Sequence, residues 1–177
     1  GEMLTFKKML ENARNQNERK VLLAGKVEDM INTVVRQIAF YDFECKLHEA
    51  RKAGELTPDD INALWMSVQG ESLGPAFEFM DGYETFWAYI PHFVHSPFYV
   101  YAYAFGDGLV NALYAVYEMA PDGFQEKYFD MLKAGGSQHH KDLLAPFGLD
   151  ASDPKFWHKG LSMISSMIDE LEAMETS

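Results

Sequence analysis

The stretch SPFYVYAYAFGDGLVNALYAVYEM, residues 96–119, decides the fold of this chain. It opens with a serine and a proline, the pair typical of a helix N-terminus. Between Ser96 and Tyr117 its only charged residue is Asp107. A helix that is apolar on every side either spans a membrane or lies at the centre of a helical bundle. Asp107, Asn111 and two glycines are costly in lipid, so the stretch predicts a buried central helix.

The rest of the chain also has helical patterns, and no segment alternates as a strand would. Apolar residues recur with helical period over 27–41 and again over 157–171. Capping residues predict further helix starts at Thr57-Pro58, Asp122, Ser137 and Asp153-Pro154, and a short helical piece is expected at Tyr83 to Tyr89. The sequence therefore predicts an all-α multi-helix bundle over residues 1–177, organised as a single helical piece.

Charge and cysteine content exclude several classes of partner. The net charge of -12 argues against nucleic acid, which needs a basic surface, and against anionic membranes. The single cysteine, Cys45, permits no internal disulfide and fits the reducing cytoplasm. We therefore expect a cytoplasmic protein that binds neither nucleic acid nor membrane.

No metal motif is complete in this sequence. His48 and Glu49 begin HEARK, but Lys52 stands where the zinc motif HExxH needs its second histidine. Glu44 and His48 are four residues apart and share a helix face, within a charged run that we interpret as solvated surface. We expect no metal to bind this chain.

Histidine and tyrosine side chains are concentrated around the Ser96-Pro97 start. His92 and His95 precede it, Tyr99 and Tyr103 follow four residues apart on one helix face, and Tyr101 faces elsewhere. The residues allow two interpretations. The rings could form an aromatic core whose polar groups bond the backbone. Alternatively, they could donate hydrogen bonds to negative charge that develops on a reacting oxygen.

Several motifs resemble the C-terminal part of the oligoendopeptidase F family, zinc oligopeptidases related to thimet oligopeptidase. The most specific is IPHFVHSPFYVYAYAFGDGLVNALY, residues 90–114. VRQIAFYDFE, ELTPDDINALW, FDMLKAGGS, LLAPFGLD and FWHKGLSMISSMIDELE are also similar and occur in the expected order. The resemblance covers nearly the whole chain from Val35 onward. It implies the helical C-terminal part of a zincin-type catalytic domain.

The resemblance also implies roles for named residues. His92 matches a histidine that contacts the substrate. Tyr99 and Tyr103 match tyrosines that stabilise the oxyanion, with Tyr101 as a rival. His95 and Phe98 are expected beside the bound oligopeptide.

In the resembled family, the zinc ligands are the histidines of HExxH and a downstream glutamate. This implies that zinc belongs to the intact parent and that the fragment binds none. Glu2 matches a later glutamate on the same helix, which would support the metal ligands without binding the metal. We thus expect a chain that begins inside a helix, is inactive alone, and self-associates through residues 3–10 or 99–103.

Two other classes of function remain open at this point. The chain could be a stand-alone helical module that binds a peptide or another ligand without catalysis. It could also be a purely structural helical domain, in which case its tyrosine hydroxyls and imidazoles should be buried and paired.

Overall fold

The computed structural model describes residues 1–175, and within them the chain is helical without a β-strand. The α-helices are α1 (Glu2–Glu11), α2 (Gln16–Met30), α3 (Arg36–Ala53), α4 (Pro58–Leu73), α5 (His92–His95), α6 (Tyr101–Met119), α7 (Phe124–Ala134), α8 (His140–Leu144) and α9 (Pro154–Glu175). A π-helical turn, Ile31–Val35, joins α2 to α3. Short 3₁₀ segments lie at Gly74–Ala76, Tyr83–Tyr89 and Ala145–Phe147. The all-α prediction is confirmed.

Local capping chemistry determines where α4 begins. The Thr57 hydroxyl accepts a hydrogen bond from the Asp60 N–H at 3.2 Å, and the Asp60 carboxylate accepts one from the Thr57 N–H at 2.8 Å. This reciprocal pair is a capping box, and Pro58 occupies the first helical position. The predicted start at Thr57-Pro58 is confirmed.

The start of α6 differs from the prediction. The helix begins at Tyr101 rather than at Ser96, and His92–His95 forms the separate turn α5. Between them, Phe98 has a φ of 59°, in the left-handed region. A right-handed helix cannot pass through such a residue, so the cap-and-proline signal at Ser96 does not start α6.

Helix α6 is also more exposed to solvent than its apolar composition predicts. Ala104, Ala112 and Leu113 are buried, whereas Tyr101 and Val110 are each 51% exposed. The prediction of a helix buried on all sides is therefore wrong. No helix in the described part of the chain is long and apolar enough to cross a membrane.

The chain divides into two compact units. One unit comprises Ile31–Phe105. Its core packs aromatic rings of α3 and α4, and Trp65 is fully buried while its Nε1 donates a hydrogen bond to the Tyr83 carbonyl at 3.0 Å. The buried core residues of this unit are Ala39, Phe40, Phe43, Trp65, Val68 and Val100.

The other unit joins Gly1–Met30 to the chain from Gly106 onward. Its helices α6 and α9 approach closely at two glycines: a Cβ added at Gly160 would lie 3.3 Å from the Gly108 carbonyl oxygen. Helices α2 and α9 are also linked, because the Arg19 guanidinium lies 2.6 Å from the Glu170 carboxylate. This unit thus holds the N-terminal helices against the C-terminal helix.

Candidate functional site

Three of the predicted site residues form one ring cluster in the Ile31–Phe105 unit. His92 comes from α5, Tyr99 from the following turn and Tyr103 from the first turn of α6. The His92 and Tyr99 rings are stacked with centroids 6.2 Å apart, and Tyr103 lies edge-on to both at 5.7 Å. His92 Nε2 is 3.0 Å from the Tyr103 hydroxyl oxygen. We call His92, Tyr99 and Tyr103 the ring triad.

The ring triad is open to solvent. Tyr99 is 51% exposed, Tyr103 is 40% exposed and His92 is partly exposed. The interpretation in which these hydroxyls and the imidazole are sealed inside the bundle is therefore wrong. A bound molecule has access to the phenol groups of both tyrosines.

The hydrogen bond between His92 and Tyr103 has two possible proton arrangements. When the imidazole Nε2–H donates to the phenol oxygen, the Tyr103 O–H remains available to a second acceptor. When the phenol donates to Nε2, its proton is already engaged. The first arrangement gives the ring triad two O–H donors, from Tyr99 and Tyr103, for an incoming oxygen.

The remaining predicted residues of this region lie outside the ring triad. The Tyr101 ring packs edge-on against Tyr41 of α3 at 5.6 Å. The Phe98 ring contacts His48 of α3 at 4.7 Å and Tyr41 at 6.3 Å. His95 is exposed. The structure therefore groups Tyr99 with Tyr103 and places Tyr101 beside Tyr41 of α3.

Glu44 of α3 is the residue that sequence reasoning missed. The charged run around it predicts solvated surface, but Glu44 is only 1% exposed, so that prediction is wrong. One carboxylate oxygen accepts a hydrogen bond from the Phe98 N–H at 2.8 Å. The other is buried and has no hydrogen-bond partner among residues 1–175. His48, one turn later, is exposed as predicted.

A sequence signal for the burial of Glu44 did exist. Phe40, Phe43 and Leu47 recur at the spacing of one helix face, and Glu44 occupies a position within that apolar stripe. A carboxylate on a buried stripe needs a hydrogen-bond donor, which the backbone of Phe98 supplies.

The hydrogen bond to Glu44 coincides with a strained backbone. Phe98 is the one residue other than glycine with positive φ in the described part of the chain. The left-handed conformation costs an L-residue roughly 1–2 kcal/mol. A hydrogen bond contributes about 0.5–1.5 kcal/mol net, which is comparable to that cost.

Glu2 lies on α1, in the other unit. Its carboxylate is mostly exposed and pairs with the ammonium group of Lys26, whose side chain is only 9% exposed. The hydrogen bond and the charge of Lys26 lower the pKa of Glu2. Glu2 is thus held as a carboxylate by a nearly buried lysine.

The residues present do not fit a zinc site. Across residues 1–175, no three histidine, cysteine, aspartate or glutamate side chains converge as metal ligands would.

Comparison with known proteins matches the chain to a peptidase family. A family model described as Peptidase family M3 matches residues 1–163. The plasmid oligoendopeptidase F of Lactococcus lactis subsp. cremoris is 30% identical over 167 residues, which cover 94% of this chain and 28% of that protein. Oligopeptidase PepF of Bacillus subtilis is 29% identical over 174 residues, covering 98% of this chain and 26% of that protein.

A solved structure has the same fold. The crystal structure of oligoendopeptidase-F from Enterococcus faecium matches with a TM-score of 0.87 and 25% identity. The match covers 97% of this chain and 33% of that one. The chain therefore spans between about a quarter and a third of the length of these relatives.

Proposed function

Because the chain belongs to peptidase family M3, we propose that it is the C-terminal helical part of a zinc-dependent oligoendopeptidase. The parent enzyme would hydrolyse internal peptide bonds of short peptides, and residues 1–177 would form one helical piece of its catalytic domain. The observation that carries this proposal is the exposed ring triad, which presents phenol and imidazole groups at an open surface.

The ring triad supplies the chemistry that amide hydrolysis needs at the carbonyl oxygen. As a nucleophile attacks the carbonyl carbon, the oxygen gains negative charge. Preorganised O–H and N–H donors stabilise that charge more than they stabilise the neutral substrate. We assign this role to Tyr99 and Tyr103, with His92 orienting the Tyr103 hydroxyl through their hydrogen bond.

Other parts of the proposal concern the intact parent. By resemblance to the family, its metal ligands would come from residues outside this chain, and no three potential ligands converge among residues 1–175. Glu2 would support those ligands from α1, while His95 and Phe98 would lie beside the oligopeptide. The single cysteine favours a parent in the cytoplasm.

Three matched tyrosine substitutions test the proposed roles in the parent enzyme. Tyr99→Phe and Tyr103→Phe remove one O–H donor each, so each should lower kcat by roughly 10²–10³-fold. Tyr101→Phe is the control and should change kcat little, because the Tyr101 ring packs on Tyr41. A loss confined to Tyr101→Phe would contradict the assignment.

The same exposed rings would also suit a helical module that binds peptides without catalysis. The reading frame upstream of Gly1 separates the two proposals. An in-phase HExxH sequence supports the peptidase, whereas a start codon at that point supports the module. Chelator-sensitive hydrolysis of a quenched oligopeptide by the purified 177-residue chain would contradict the expected inactivity of the fragment.

A further inference from the structure

The buried carboxylate of Glu44 is bonded to the turn that carries Tyr99. Burial removes a carboxylate from water, which is unfavourable unless hydrogen bonds replace the water. In the described residues, Glu44 makes one such bond, to the Phe98 N–H, and its second oxygen has none. The Glu44 carboxylate thus links α3 to the turn that precedes Tyr99.

Helix α3 holds Phe98 by both its backbone and its ring. The backbone is held by Glu44, and the ring packs between His48 and Tyr41 of the same helix. Phe98 with a φ of 59° turns the chain sharply before Tyr99. Val100 then enters the core with no exposed surface. Tyr99 is thus fixed on both sides, by a strained residue before it and a buried one after it.

We propose that Glu44 is a positioning residue for the ring triad. By accepting the Phe98 N–H, Glu44 keeps Phe98 left-handed and thereby holds the Tyr99 ring against His92. Glu44 does not touch the substrate, because its side chain is buried. This role rests on the proposed function and adds to it a residue that acts through Tyr99.

Two substitutions in the full-length parent enzyme separate the effect of the length of the Glu44 side chain from the effect of its charge. Glu44→Gln keeps an acceptor oxygen at the same distance and removes the charge, so kcat should stay close to that of the unsubstituted enzyme. Glu44→Asp keeps the charge and shortens the side chain by one methylene, so the bond to Phe98 is lost. A displacement of about 1 Å in a positioned group can cost about 100-fold, so kcat should fall by up to that factor. The loss should fall on kcat more than on KM, because Tyr99 acts in the transition state.

A Tyr99→Phe background shows whether Glu44 acts through Tyr99. In that background the Tyr99 hydroxyl is absent, so adding Glu44→Asp should lower kcat far less than it does in the unsubstituted enzyme. Circular dichroism on every variant checks that the fold is kept. If Glu44→Asp does not fold, Glu44→Gln still decides, since a large loss of kcat in Glu44→Gln contradicts the proposal.

The outcomes distinguish this inference from the proposed function. If His92→Ala and Tyr103→Phe lower kcat but Glu44→Asp does not, the positioning role is wrong and the proposed function stands. The positioning role is also wrong if Glu44→Asp lowers kcat as much in the Tyr99→Phe background as it does in the unsubstituted enzyme. Absence of hydrolysis by the unsubstituted parent would reject the proposed function, and the positioning role with it.

Discussion

Asp107 is the single charge in the apolar stretch that opens α6, and its surroundings make that charge costly. Burial raises the pKa of its carboxyl group, which is the largest effect on it. The charge of Lys26 and a hydrogen bond from Asn111 at 2.8 Å act in the opposite direction, and the carboxylates of Glu2 and Asp29 raise the pKa further. The folded chain therefore binds this proton more tightly than the unfolded chain does.

The raised pKa makes a pH-dependent prediction for Asp107→Asn. An acid with a raised pKa contributes stability at pH values below its ordinary pKa, and this contribution is lost as the pH rises through the raised value. Asp107→Asn should therefore increase the free energy of unfolding relative to the unsubstituted chain at pH 7. This difference in the free energy of unfolding should shrink towards pH 3. Urea unfolding at pH 7 and pH 3 measures it.

Asp81→Asn serves as the control for this substitution. Asp81 is exposed and lies between the 3₁₀ segments Gly74–Ala76 and Tyr83–Tyr89, away from the N-terminus of any α-helix, so its replacement measures the general effect of removing one charge from a chain of net charge -12. An equal gain in the two variants at pH 7 would show that the burial of Asp107 is not the cause.

At the scale of elements, the contact between α6 and α9 depends on two residues without side chains. A Cβ at Gly108 would lie 2.9 Å from the Trp157 ring, and a Cβ at Gly160 would press on the Gly108 backbone. Glycine weakens a helix interior, so its presence at both positions has a packing reason. The two helices can approach closely because the backbone of Gly160 lies against that of Gly108 and the Trp157 ring occupies the space that a side chain at Gly108 would need.

Two alanine substitutions in α6 test this packing. Gly108→Ala should lower the free energy of unfolding by about 1–3 kcal/mol, because the added methyl group forces the Trp157 ring to move. Gly106→Ala is the matched control: its Cβ would meet nothing within 4 Å, so better helix propensity should stabilise by about 0.5–1 kcal/mol. Thermal or urea unfolding compares them, and equal effects would refute the packing explanation.

At the scale of the whole molecule, the isolated chain exposes large apolar side chains. On α1, Leu4 and Met9 are each about half exposed, and so are Tyr99 and Tyr101. Large exposed apolar patches commonly bind other surfaces. We expect that in the parent enzyme other residues cover part of this area, and that in isolation copies of the chain cover it.

Light scattering tests the expected self-association of the 177-residue chain. The weight-average mass should rise with concentration. Replacing Leu4 and Met9 with glutamine should reduce this rise in mass if copies of the chain associate through α1. Replacing Tyr99 and Tyr103 in the same way should reduce it if they associate through the ring triad. Val21→Gln is the control, because Val21 is 71% exposed and lies outside both faces. A monomer at every concentration would contradict the expectation.

The candidate site could be predicted only in part. The spacing grouped Tyr99 with Tyr103 and separated Tyr101, but it assumed one helix through all three residues, whereas Tyr99 lies in the turn before α6. Sequence reasoning missed Glu44 because the charged residues around it predict a solvated position, although the apolar stripe of Phe40, Phe43 and Leu47 indicates a buried one. Its partner Phe98 is 54 residues away along the chain.

The all-α class and the helix starts at Thr57-Pro58 and Asp153-Pro154 could be predicted from the sequence, because caps and prolines act within a few residues. Thr57 with Asp60 at the start of α4 is the clearest case. The starts predicted at Asp122 and Ser137 lie one and two residues early, since the caps are Gly123 and His139. The start of α6 at Tyr101 and the stacking of Tyr99 on His92 are visible only in the folded chain. Phe98 lies next to both, and its hydrogen bond to Glu44 joins segments 54 residues apart, a contact that no capping or spacing rule predicts.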